Sequence, residues 1–448
     1  MASHVFVRIA RRQSPNIPLF PFLHRLHIIN TSPYLDFLDV LLSAALKTLE
    51  LAAIPVDDPH YFSVLSFLEC AIDKAPHLST LLLGPGQIAD QILHTSLRNA
   101  NLERLELLDV GITMTDRLLN DIGSLQYLKT FVFRDNGTST YCHSPDAVTG
   151  ESPISSPVSV SKSAYTAHPP SRVASPESTT PQITVSSSFP ALLILEFSVN
   201  PALIEDLMEK VRPPNLQTFS IEILNKTASQ GYAVRYGRVK KSKKTVKSPP
   251  DTSAAIEKFL RYSIQRWDNL VSIRIKNNGT AASSLPSDIF VDLLSRPDLD
   301  CVEINGMGIE LMDTTLKNVQ ASKVQYLHLP VHRTAPSITL ERLRDIAEAF
   351  PRLKSFRCRI WDVGRLEVSP PLSHWLEVLT ISDGLRQLER RELADIARYL
   401  DSMFPKIKTV ELSEESRDND EEWNLIADLL TYFQAVRKDE VQRLEGVM

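Results

Sequence analysis

Apolar residues recur along this chain in one short phrase, L-x-x-L-x-L, with Ile, Val, Phe or Cys standing in for Leu at some places. The clearest copy lies in NLERLELLDVGITMTD at 101–116. Leu102, Leu105 and Leu107 point one way while Arg104 and Glu106 point the other, as in a short strand with one buried face. A polar turn at 109–111 follows, and from Met114 the apolar spacing changes to three and four, which predicts a helix. One strand, one turn and one helix form the unit.

The phrase opens at thirteen places: Leu23, Leu46, Leu78, Leu102, Leu128, Leu192, Leu216, Leu270, Leu299, Val324, Leu353, Leu376 and Ile407. Between them, helical spacing predicts helices over 34–42, 61–71, 88–97, 114–122, 202–211, 254–265, 288–294, 314–319, 339–350 and 388–403. Proline often follows the helix just ahead of the next strand, at Pro76, Pro297, Pro351 and Pro405, where it stops the helix and sets the strand's register. Most spacings run from 23 to 32 residues, slightly beyond the roughly 20 to 29 of leucine-rich repeats. The predicted fold is therefore α/β: a leucine-rich-repeat solenoid, or horseshoe, of about thirteen irregular repeats. Its parallel β-sheet lines the concave face and its helices the convex face.

Two intervals are too long for one repeat, and they divide the chain. A short extension, 1–20, precedes the repeat domain, 21–448. The interval 137–188 is rich in Ser, Thr and Pro and poor in large apolar residues, so it is expected to be a disordered insertion. Its Ser144-Pro145, Ser152-Pro153, Ser156-Pro157, Ser175-Pro176 and Thr180-Pro181 are either acceptors for proline-directed kinases or the dipeptides any such linker contains. A second insertion, 225–251, holds Arg235, Arg238, Lys240, Lys241, Lys243, Lys244 and Lys247. That cluster is a nuclear-localisation signal, a patch for an anionic partner, or simply a solvated loop. At the other end, an amphipathic helix over 421–437 with Trp423, Leu425, Ile426, Leu429 and Leu430 on its apolar side is expected to cap the open end of the array.

Composition narrows the class further. A formal net charge of −5 over 448 residues argues against a protein that coats nucleic acid. The richest apolar run, 40–54, is interrupted by Lys47 and Glu50 and is too short to span a bilayer, so no membrane partner is expected. The N-terminus lacks a signal-peptide core, and four scattered cysteines, Cys70, Cys142, Cys301 and Cys358, suit a reducing cytoplasmic or nuclear setting better than a disulfide framework or zinc site.

Chemistry has little to stand on. The chain contains no G-x-S-x-G, H-E-x-x-H, Walker loop or dinucleotide glycine pattern, so no catalytic residue, cofactor site or metal site is assigned. Binding has more. The residue between the second and third apolar places of each phrase should stand on the concave face. That column reads His27, Glu50, Leu82, Glu106, Val132, Glu196, Ser220, Arg274, Glu303, His328, Arg357, Thr380 and Glu411. Acidic residues, with Glu222 beside them, dominate its first part. Arg274, Lys276, Arg357 and Arg359 come later, with Tyr326 and His328 between them. These six are the candidate protein-binding residues, and paired arginine hydrogen bonds would suit an acidic or phosphorylated peptide. A solvated strand face carrying chance charges is the competing reading.

The irregular repeats with real helices, GITMTD at 111–116, SPNIPLFPFLHRLHI at 14–28 and FPKIKTVEL at 404–412 resemble the leucine-rich region of fungal F-box proteins, within the ribonuclease-inhibitor-like class. The resemblance implies a substrate-recognition subunit of a cullin-RING ubiquitin ligase. An F-box itself is a helical module ahead of the repeats that opens with a Leu-Pro pair, and only 22 residues precede Leu23. No F-box is visible, so none of the family's adaptor-docking residues maps onto this chain. A ligase adaptor is a partner only if an F-box is missing from this sequence; an adaptor or regulator with no ligase connection is the alternative. The family's array also favours Asn or Cys eight residues after the first leucine, whereas here Asn stands only at 136, 200 and 278.

Overall fold

The computed structural model describes residues 18–29, 35–52, 61–85, 93–94, 97, 101–110, 114–135, 189–224, 252–278, 284–309, 319, 323–330, 338–364, 366, 372–383, 389–413 and 420–445. The Ser/Thr/Pro-rich interval, the basic cluster, most of the predicted 88–97 helix and the 314–319 helix apart from Val319 lie outside these residues.

The strands are β1 (Arg25–Ile28), β2 (Thr48–Leu51), β3 (Thr80–Leu83), β4 (Arg104–Leu108), β5 (Thr130–Arg134), β6 (Ile194–Val199), β7 (Thr218–Ile223), β8 (Ser272–Asn277), β9 (Ser284–Leu285), β10 (Cys301–Asn305), β11 (Gly308–Ile309), β12 (Tyr326–His328), β13 (Ile338–Thr339), β14 (Ser355–Asp362), β15 (Val378–Asp383) and β16 (Thr409–Leu412). Thirteen of them form one parallel sheet in strict sequence order, β1-β2-β3-β4-β5-β6-β7-β8-β10-β12-β14-β15-β16. Each begins two residues after one of the thirteen phrase openings. The chain is a leucine-rich-repeat solenoid.

Two main-chain devices repeat and explain the order. Ahead of many strands the first apolar residue donates its N–H to the carbonyl three residues earlier, as in Leu78 to Ala75 at 2.9 Å, Leu353 to Phe350 at 3.1 Å and Ile407 to Phe404 at 3.0 Å. Pro76, Pro351 and Pro405 each occupy the second position of these β-turns, where a fixed φ is favourable and no N–H is needed. Next, two consecutive N–H groups of one repeat share a single carbonyl of the repeat before. Lys47 and Thr48 bond His24, Ser79 and Thr80 bond Lys47, and the pattern continues to Lys408 and Thr409 on Glu377. This ladder runs through every junction of the sheet and pins the register from end to end.

The apolar places of the phrase fill the core. Leu49, Leu51, Leu105, Leu107, Phe131, Phe219, Ile273, Val302, Phe356, Cys358 and Leu379 are fully buried. Aromatic rings thicken the middle, with Phe219 against Trp267 at 5.2 Å and against Phe259 at 4.8 Å between ring centroids. At the two ends the same places are only half buried: Leu26 in β1, and Val410 and Leu412 in β16. A repeat can bury its inner face only against neighbours on both sides.

Helices cover the other face: α1 (Tyr61–Lys74), α2 (Asp116–Gly123), α3 (Pro201–Lys210), α4 (Thr252–Arg266), α5 (Ser287–Leu294), α6 (Leu343–Ala349), α7 (Arg390–Met403) and α8 (Asp420–Glu445). Thr115 caps α2 by accepting the Leu118 N–H at 3.2 Å, and Glu389 with Glu392 closes a capping box on α7. The predicted 34–42 helix is a 3-10 segment, Leu35–Leu41, and the 339–350 helix likewise opens as a 3-10 turn, Leu340–Arg342. Connections this short favour the tighter helix. Short pairs such as β9 with β11, and β13 alongside β14, carried no sequence signal of their own.

Helix α8 is longer than the predicted 421–437. It packs on α7 and β16 and buries Trp423, Ile426 and Leu430. Leu425, counted with that face in the sequence, is 39% exposed, because it lies about 100° around the helix from Ile426, outside the arc formed by Trp423, Ile426 and Leu430.

Candidate functional site

The sheet face turned away from the helices carries the column that the sequence placed there. Strand register aligns Glu196, Ser220, Arg274, Glu303, His328, Arg357, Thr380 and Glu411 as successive Cα partners. Earlier members His27, Glu50, Leu82, Glu106 and Val132 complete the row. Glu106 and Val132 are buried within it.

Most cations on this face have a carboxylate beside them. Arg25 meets Glu50 at 3.1 Å, Arg104 meets Glu106, and Arg134 meets Glu196 at 4.0 Å. Of the six candidate residues, Arg274 lies 3.6 Å from Glu303 and Lys276 lies 3.0 Å from Glu222. Glu222 also accepts from Asn278 at 2.7 Å and Ser198 at 3.3 Å. Burial raises its pKa, but these hydrogen bonds and the Lys276 charge outweigh that and hold it below the ordinary carboxylate value. Such half-exposed pairs add little stability, but they do cancel the field of the cations involved.

Arg357 departs from this pattern. Its strand neighbour in the column is Thr380, where Arg274 has Glu303. Its Nη2 donates to Ser413 Oγ at 2.9 Å, so the side chain reaches across β15 to the end of β16. Among the described residues no carboxylate lies within ion-pair distance of it, and its Nε is buried without a hydrogen-bond partner. Arg359, half-buried two residues on, is engaged by a neighbour.

His328 stands one strand from Arg357, its Nε2 3.2 Å from Ser355 Oγ. Burial lowers its pKa, Arg357 and Arg274 lower it further, and Glu303 opposes them. The imidazole is therefore held in its neutral form. Tyr326 opens the same strand and is 41% exposed. The structure thus gathers Tyr326, His328 and Arg357 on adjacent strands and sets Arg274 and Lys276 into ion pairs. Ser355 and Ser413 join the group. Ser355 has a sequence signal, since it begins β14 two residues ahead of Arg357.

Among the described residues no group of three His, Cys, Asp or Glu side chains is placed to share a metal ion, and no helix is long and apolar enough to cross a membrane. Cys70, Cys301 and Cys358 are free thiols, and burial alone pushes the Cys358 thiol far above its ordinary value.

No family model matches the chain, and no curated protein matches it. A solved leucine-rich-repeat protein of Leptospira interrogans aligns over 91% of this chain and 86% of its own, at 12% identity and a TM-score of 0.36. At that level the likeness adds no weight to the chain's own strand order and register.

Proposed function

We propose that this chain is a non-catalytic protein-binding scaffold that holds an acidic or phosphorylated segment of a protein partner on its concave face, over β12 to β16. The observation that carries this reading is Arg357, a cation on the open sheet face whose column neighbour is Thr380 rather than an acid. Tyr326 supplies aromatic surface beside it. Charge reversal at both Arg357 and Arg359 should reduce capture of the co-purifying partner at least tenfold, the equivalent of about 1.4 kcal/mol, with little change in melting temperature. Unchanged capture in a folded double variant rejects the site.

The finer reading is substrate recognition for a cullin-RING ubiquitin ligase in the cytoplasm or nucleus. Its support is the resemblance of 14–28, 111–116 and 404–412 to F-box proteins. Unbiased co-purification decides it: cullin components among the partners favour it, and a partner set without them leaves an adaptor or regulator.

A further inference from the structure

The central column around Arg357 has a regular logic in its earlier repeats. Arg274 in β8 faces Glu303 in β10, and Glu303 is also held by Asn305 Nδ2 at 2.8 Å, so that acid is fully engaged. One strand further stands neutral His328, then Arg357, then Thr380, then exposed Glu411. At Arg274 the chain itself supplies the carboxylate. Among the described residues none is paired with Arg357 above Thr380.

Resting on the reading above, we infer that a partner's carboxylate takes the place over Thr380 that Glu303 takes beside Arg274, and that its arrival is coupled to protonation of His328. A carboxylate matches that position in kind, because other cations of this face are answered by Glu on an adjacent strand: Arg274 and Lys276 by their register partners Glu303 and Glu222, and Arg134 diagonally by Glu196.

The coupling follows from the charges that face His328. Arg274 and Arg357 lie on either side along the column, and Glu303 lies between Arg274 and the histidine. Tyr326 sits on its own strand and Ser355 on the next, and neither is charged near neutral pH. In the free protein the two guanidiniums and burial keep the ring neutral. An added carboxylate over Thr380 cancels the Arg357 cation and places negative charge two strand spacings from His328, roughly 10 Å. The bound complex then favours the imidazolium, so one proton is taken up. By linkage, binding strengthens as pH falls, by at most tenfold per pH unit for a single proton.

A glutamate-rich synthetic peptide tests this, because its carboxylates stay ionised above about pH 6. Its dissociation constant for the full chain should fall several-fold between pH 7.5 and pH 6.0. Calorimetry in buffers of different ionisation enthalpy should register net proton uptake, and His328→Asn should abolish both effects. An affinity independent of pH, combined with weakened binding in R357E, overturns the coupling while leaving the concave site standing. Absence of peptide binding at every pH overturns both. Proton uptake that persists in H328N assigns the titration to another group and overturns the role of His328.

Discussion

His374 donates its Nε2 proton to the main-chain carbonyl of Phe350 at 2.8 Å, joining two successive repeats through a buried side chain. Its Nδ1 accepts the Leu376 N–H at 3.1 Å, so the tautomer is fixed and the ring is neutral. This histidine precedes a repeat that lacks a Pro turn, and its ring takes over work that a main-chain turn does at Leu353 and Ile407. Burial lowers its pKa, with the Phe350 bond opposing. A second proton would turn Nδ1 into a donor facing another donor.

Acid should therefore loosen this end of the array. With a folded pKa below the unfolded value of about 6.5, the unfolded chain binds more protons at lower pH. The titration of His374 adds no pH dependence to stability well above pH 6.5; stability then falls as pH drops below that value and levels off below the folded pKa. His328 acts in the same direction. His374→Asn should lose about 1 kcal/mol at pH 7.5 and flatten the acid limb. Melting curves from pH 7.5 to 5.5 check this, and an unaltered acid limb in the variant rules out His374 as its source.

Arg296 closes the exposed end of α4. Its Nη1 donates to the Ile264 carbonyl in the last turn, and its Nη2 to the Trp267 carbonyl, which also accepts the Leu270 N–H. Burial lowers its pKa while Asp268 and Asp298 oppose this, yet a guanidinium stays charged at neutral pH. Arg296→Met keeps the aliphatic stem and removes both bonds, and should cost about 2–3 kcal/mol in urea unfolding. A cost below 0.5 kcal/mol, at the level of roughly ordinary surface changes, would show that water serves these carbonyls equally well.

Gly306 carries φ of +71°, and a Cβ there would sit 1.8 Å from the Asn277 carbonyl oxygen. Both the backbone angle and the neighbouring strand end exclude a side chain. Gly306→Ala should destabilise by about 3 kcal/mol or more and lower the yield of folded protein. Near-wild-type melting of this variant would mean that β8 and β10 separate there without penalty.

Much of this was legible in the sequence because a repeat constrains each position many times over. All thirteen phrase openings lie two residues ahead of a strand, and the column from His27 to Glu411 follows from alternation alone. What alternation does not give is the state of each charge. Arg274 and Glu303 are consecutive in that column, so their pairing was readable by treating the column as neighbours rather than as a list. Arg357 bonding Ser413, two strands away, was not readable, because a long side chain chooses its direction in three dimensions. His374 escaped for a related reason: an isolated histidine outside any phrase has no period to announce it.

Helix α8 provides the sharpest contrast within one element. Trp423 is 2% exposed against the last repeat, Gln434 Nε2 donates to the Ile407 carbonyl at 2.8 Å, and Arg437 bonds Asp401 Oδ2 at 2.8 Å and the Pro405 carbonyl at 3.0 Å. From 438 to 444 every residue of the helix is exposed. Stability should divide at that point. Trp423→Ala should cost about 3–5 kcal/mol, since it opens a cavity beside β16 that its neighbours cannot fill. Removing 441–448 deletes a segment whose described side chains, 441–444, are exposed, and should shift the melting temperature by less than about 2 °C. Equal losses from the two changes would mean that the exposed turns hold the packed ones in place, and that α8 stabilises the array as one cooperative rod rather than through its first half.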